Sequence, residues 1–262
     1  MGVINTKKWI MEDGTKPVIL CEKLTNYFKG VTSKEIYEHL ASHGMYRTSI
    51  FQRGMEFEPF IKSDYWTVVR SLYKDIRKKW SGPDVPIFIF PVNQRNPQIM
   101  KDFNGKSGLA YSDKLFLFLS PDMQINEIKA LLTHEYHHVC RLHFIKKKEQ
   151  DMTLIDSIIL EGLAEQAVKS YCGIEYTARW TTKYSKEQLD KWWHELVAPY
   201  RDTKKNDPIY QELLYGLKGH PKMLGYCVGF YLIDLCLLDH KYSLRLLEKL
   251  PSHKIIEIAT KE

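Results

Sequence analysis

From Asp64 to Trp80 the apolar residues Trp66, Val69, Tyr73, Ile76 and Trp80 recur at helical spacing, and Ser81-Gly82-Pro83 closes the run. Upstream, Thr32 and Glu35 form a capping box ahead of Ile36-Tyr37 and Leu40, with Gly44 as the stop. The first 82 residues therefore read mainly as helices joined by loops. The period changes at Val85. Pro86 to Phe90 is a short β-rich run closed by Pro91, which predicts a strand. A Gly/Asn/Pro loop is expected from Asn93 to Gly108. Leu109-Ala110-Tyr111 and Leu115 to Leu119, parted by Ser112-Asp113-Lys114, then predict a β-hairpin.

Ser120-Pro121 opens the next element, with Pro where a helix start tolerates it. The pattern then predicts a long helix from about Met123 to Ile145, whose core face carries Ile125, Ile128, Leu132, Tyr136, Val139 and His143. A second helix is expected from about Thr153 to Ser170, ended by Gly173. Further helices follow at about Lys186 to Val197, Met223 to Leu238 and Leu244 to Leu250. A small sheet among many helices predicts an α+β fold. The most apolar stretch, Met223 to Leu238, is short for a bilayer and carries Asp234. It reads as a buried core helix, so no stable membrane insertion is expected.

Composition narrows the function classes. The chain has 262 residues, 44% of them hydrophobic and 27% charged, enough for one large core-bearing unit. Its net charge of +6 is modest, and the basic run Lys146-Lys147-Lys148 ends a helical pattern, where cations complement the helix dipole. No basic stripe with interleaved aromatics appears, so no nucleic acid is expected as a partner. The five cysteines are odd in number, widely scattered and without metal-binding spacing, which suits a reducing compartment. No signal-peptide pattern opens the chain, and a cytoplasmic location follows as the expectation. Met1-Gly2 with Thr6 matches a nominal myristoylation pattern that short sequences often meet by chance.

The chemistry concentrates in Leu131-Leu132-Thr133-His134-Glu135-Tyr136-His137-His138. His134, Glu135 and His138 form HExxH. At about 100° per residue the two histidines lie one helical turn apart on a single face, able to hold one Zn²⁺. Glu135 projects beside that face, within reach of a water there without being a ligand. The motif becomes diagnostic with a third ligand, and Glu161 offers one, with 22 residues between it and His138. Glu161 and Glu165 share one face of the second helix, opposite Ile155, Ile159 and Leu163. Under this reading Glu161 completes the metal set and Glu165 holds a ligand imidazole from behind, most plausibly that of His134. The alternative HExxHxxGxxH pattern fails, because Arg141 and Phe144 stand where Gly and His would be required. His137 is read as packing beside the site.

These segments, with Gly225-Tyr226-Cys227-Val228-Gly229-Phe230-Tyr231, resemble the YjaZ-like family of predicted zinc-dependent proteases, over roughly residues 85–240. The resemblance implies an intracellular, zincin-like protein with a gluzincin-type HExxH…E site. On that reading the chain is a single zincin-like unit: a helical region to residue 82, the sheet and metal helix over 83–150, and a helical lobe over 151–262 carrying the third ligand.

The expected function is a zinc-dependent metallopeptidase acting on a peptide or protein, with Glu135 as general base. Such a site needs a donor for the oxyanion. Among His220, Tyr210, Tyr215, Tyr226 and Tyr231 the choice falls on Tyr226, whose helix has Gly225 and Gly229 for close approach to a neighbour, and then on His220. The edge of the sheet near Gly108–Ser112 suits an extended peptide. Tyr176, Trp180, Tyr184, Trp192 and Trp193 are read as core packing ahead of a cleft wall. The rivals are a zinc hydrolase of another amide or ester, and a metal-binding or regulatory zincin-like protein without peptidase activity. Oligomeric state is not legible.

Overall fold

The computed structural model describes residues 2–47 and 58–261, with the side chain of Asp102 outside the description. Met1 of the myristoylation pattern and part of the expected N-terminal helical region therefore lie outside the described residues. The fold is α+β, and the chain divides into two compact units, Met1–Val139 and Cys140–Glu262.

The first unit is built on a four-stranded sheet of order β1-β2-β4-β3. These strands are β1 (Gly2–Val3), β2 (Pro86–Pro91), β3 (Lys106–Ala110) and β4 (Leu115–Leu119). β2 pairs parallel with β1 and β4, while β3 and β4 form the expected antiparallel hairpin, with Gly108 opposite Leu117. Every residue of β2 and β4 is buried, so their unbroken apolar runs reflect cover on both faces. α1 (Thr6–Asp13) packs on β2 and α5 (Tyr65–Trp80) on β1, while α2 (Pro17–Glu22) packs on α3 (Ser33–Ser42) and α4 (Glu58–Lys62) on α1. Thr6 anchors α1 to the sheet: its hydroxyl donates to the Ile89 carbonyl at 2.6 Å and accepts from the Trp66 indole at 2.9 Å. The capping box at Thr32 and Glu35 is present. α5 buries Trp66, Val69, Tyr73 and Ile76 as expected and stops at Ser81, which takes the left-handed conformation.

Three expectations need correction. The stretch expected as a loop from Asn93 to Gly108 contains α6 (Pro97–Asp102). Asn96 caps it by accepting from the N–H groups of Gln98 and Ile99, and Pro97 takes the first turn, so the residues read as loop formers are a helix start. The metal-motif helix α7 spans Ile125–Ile145, and Pro121 belongs to a turn in which Asp122 has a φ of 66°. Its core stripe is shorter than expected. Ile128, Leu132, Tyr136 and Val139 are buried, but Ile125 and His143 are exposed.

The second unit is helical. α8 (Leu154–Cys172) and α11 (Leu224–Leu238) share its largest helix–helix contact, joined by α9 (Lys186–Trp192), α10 (Pro208–Tyr215), α12 (Leu244–Leu247) and α13 (Ser252–Thr260). Two glycines let α8 and α11 touch backbone to backbone. A Cβ on Gly162 would lie 2.3 Å from the Gly229 carbonyl oxygen, and one on Gly229 would lie 2.1 Å from that of Ile158. Gly225 instead faces α10, where a Cβ would meet the Leu214 Cα at 2.9 Å. α8 is consequently buried around most of its girth, not on one amphipathic face. Trp180 and Trp193 are core residues of this unit. Among the described residues no helix is long and apolar enough to cross a membrane.

Buried polar groups tie the last turns of this unit together. Arg141 is 3% exposed and donates to the carbonyls of Leu247, Glu248 and Leu250 and to the Ser252 hydroxyl, at 3.0–3.3 Å. Ser252 in turn donates to Asp156 at 2.8 Å. Burial pushes the neighbouring Glu248 carboxyl up from 4.5 to about 7, against the pull of Arg141. The folded chain thus keeps a proton that the unfolded chain releases. Stability attributable to Glu248 falls as pH rises from 4.5 to about 7 and is level beyond. Glu248→Gln is expected to remove that slope. Melting temperatures of both proteins from pH 4.5 to 8 test it, and parallel curves would refute it.

Candidate metal centre

α7 is held in rotation by the residues beside the motif. The Tyr136 ring stacks on Trp80 at 6.0 Å, meets Tyr73 edge-on at 5.2 Å, and its hydroxyl donates to the Pro83 carbonyl at 2.9 Å. His137 is buried with its ring edge-on to Trp80, which agrees with a packing role. With Tyr136 fixed against α5, the 100° helical step turns His134 and His138 to another side. Their rings lie 4.5 Å apart, nearly perpendicular.

Among the described residues one group of three side chains is suited to a metal: His134, His138 and Glu161. One ligand atom from each lies within 4.8 Å of the other two. Tetrahedral zinc with bonds of about 2.0–2.1 Å needs donors about 3.3 Å apart, a modest tightening of such a group. Two imidazoles and one carboxylate, with a coordination position to spare, are also the donor set of a catalytic zinc. The residues fit the ion.

Glu135 is 7% exposed and lies against the edge strand: a Cβ built on Gly108 would fall 2.4 Å from its Cγ, Cδ and Oε1. On the same strand Lys106 forms an ion pair with Glu127 of α7. Lys106 and Gly108, two residues apart, therefore share the face of β3 that meets α7. Among the described residues β3 has β4 on one side and no strand on the other.

Glu165 is buried, and its Oε1 accepts the backbone N–H of Ala178. Glu161, half-buried on α8, has Tyr215 nearby. Burial raises the Tyr215 hydroxyl above its ordinary range, the Glu161 carboxylate adds to that, and a hydrogen bond with Tyr226 works against it. Tyr226 is half-buried between the rings of Tyr215, at 5.7 Å, and Trp180, at 5.4 Å. Two other tyrosines are engaged structurally: Tyr210 with the Ser157 hydroxyl and Tyr231 with Asp190. His220 lies in the turn after α10, where its N–H donates to the Leu217 carbonyl. Gly108 was expected at the end of a loop and beside a substrate edge, but it lies inside β3 against Glu135; Gly162, whose signal was a glycine inside a helix, was given no role.

Residues 65–257 match the family model described as predicted Zn-dependent protease, DUF2268. The chain belongs to this family of predicted zinc-dependent proteases. It is 41% identical to the uncharacterized protein YjaZ of Bacillus subtilis (strain 168) over 251 residues, 93% of this chain and 94% of that one. It is 22% identical to the uncharacterized protein YjfC of the same organism, over 67% of this chain and 61% of that one. No solved structure matches the chain.

Proposed function

We propose that the protein is a zinc-dependent metallopeptidase of the gluzincin kind, with His134, His138 and Glu161 as ligands and Glu135 as general base. The observation that carries this reading is the three-residue metal group on the HExxH helix and the one after it. The family's description as predicted zinc-dependent proteases agrees with it. Zinc, once bound, would polarise a scissile carbonyl and lower the pKa of water toward ~7. The chain's own residues do the rest. Glu135 takes the attacking water's proton onto its carboxylate and passes it to the leaving amine nitrogen. Glu165 holds the His134 imidazole from behind. Tyr226 is our first choice for the oxyanion donor and His220 the second. What supports Tyr226 is its place against Tyr215, which lies beside Glu161. The outer edge of β3, which no strand pairs with among the described residues, lies next to Glu135 and favours an extended peptide as substrate.

The test is metal content by elemental analysis of the wild type and Glu161→Ala. About one zinc per chain is expected in the wild type. The variant should bind it more than about 100-fold more weakly, because groups merely supporting a ligand already cost 10–100-fold. Wild-type protein that takes up no zinc on titration would sink the reading.

A further inference from the structure

Gly108 has no conformational reason to be glycine. It sits in the middle of β3, paired with Leu117, and is not among the positive-φ glycines. What sets the position apart is what occupies its side-chain space, namely the Glu135 side chain from Cγ to Oε1. A real Cβ does not approach other heavy atoms at 2.4 Å, so one of the two elements must yield if a methyl group is added there.

The strand is poorly placed to yield. β3 is hydrogen-bonded along β4 from Lys106 to Ala110, and β4 is central and wholly buried. The Lys106–Glu127 ion pair further ties this face of β3 to α7. The Glu135 side chain, by contrast, reaches the strand through rotatable single bonds. Its carboxylate would be driven off the strand, by about 1 Å to regain an ordinary contact.

We infer that Gly108 is a positioning residue: its missing side chain is the seat in which the Glu135 carboxylate rests, and that seat sets the base's place relative to a substrate laid along β3. This rests on the peptidase reading for its catalytic consequence, but the contact itself does not. A base displaced by about 1 Å costs on the order of 100-fold in rate, whereas the three metal ligands are untouched.

Two measurements test it. The first is a double-mutant cycle on the metal-free full chain, with melting temperatures of wild type, Gly108→Ala, Glu135→Ala and the double variant. Gly108→Ala should lower the melting temperature more in the wild type than in the Glu135→Ala background, where the seat is empty. An equal drop in both backgrounds would overturn the inference, because the methyl group would then be clashing with something else. The second is hydrolysis of a quenched-fluorescence peptide library by the zinc-loaded proteins. Gly108→Ala should keep about one zinc and a KM within about twofold, while kcat falls about 100-fold. An active wild type joined to an equally active Gly108→Ala overturns this inference alone. An inactive wild type overturns the peptidase reading and, with it, the catalytic role of Gly108, while the melting cycle still decides the contact.

Discussion

Glu135→Gln is expected to keep about one zinc per chain while kcat on peptides falls by roughly 10²–10⁴-fold, the usual worth of a positioned general base. The two side chains have nearly the same shape, so Gln fits the seat against Gly108 that Glu135 fills. It retains hydrogen bonding but cannot take up the proton that the attacking water must lose. Glu135 is also outside the three-residue metal group, so its exchange should leave the ligands as they are. Paired measurements of zinc content and turnover decide the matter. Loss of zinc along with activity would mean that Glu135 builds the metal site, and unchanged turnover would remove it as the base.

The second large effect concerns stability. Arg141→Ala is expected to destabilise the chain by about 3–5 kcal/mol, the range seen when one partner of a buried charge arrangement is removed. Four acceptors lose their donor: three backbone carbonyls and the Ser252 hydroxyl. Glu248 and Asp156 lose the positive charge that acts on both. For a chain this long that corresponds to a drop of roughly 6–20 °C in melting temperature. A loss below about 1 kcal/mol in urea unfolding would show that water replaces the guanidinium cheaply. Arg141 was read from sequence only as the residue that spoils the longer histidine motif. Its burial has no local signature, since the partners lie more than 100 positions downstream.

What the sequence revealed and what it hid divide along similar lines. α5, the β3–β4 hairpin and α7 are legible because each is long or periodic and carries its own stop. The metal group is legible because two of its members sit at a fixed helical spacing and the third lies on the next helix. α6 was hidden because its capping residues double as loop formers. β1, two residues long, has no period to detect and exists only through its partner β2. Gly225 and Gly229 were expected to serve one close helix approach, yet they face two different helices. α8 was expected to have one apolar face opposite Glu161 and Glu165, but with α11 packed onto Gly162 it is buried around most of its girth. Glycine-mediated contacts of this kind depend on which helices meet, and no local pattern encodes that.

The parallel pairing of β1 with β2 also carries a cost in time. Gly2 pairs with Pro86 and Val3 with Ile87, partners 84 positions apart. At 5–20 residues per second, a ribosome needs roughly 4–17 s to make the second after the first. Throughout that interval α1 to α5 have been synthesised without the strand that Thr6 and the start of the chain fasten onto. The β3–β4 hairpin closes over only a few residues and can zip within microseconds of emerging. Among the strand pairings the hairpin is the most local, and the first residues made wait longest for their partner strand.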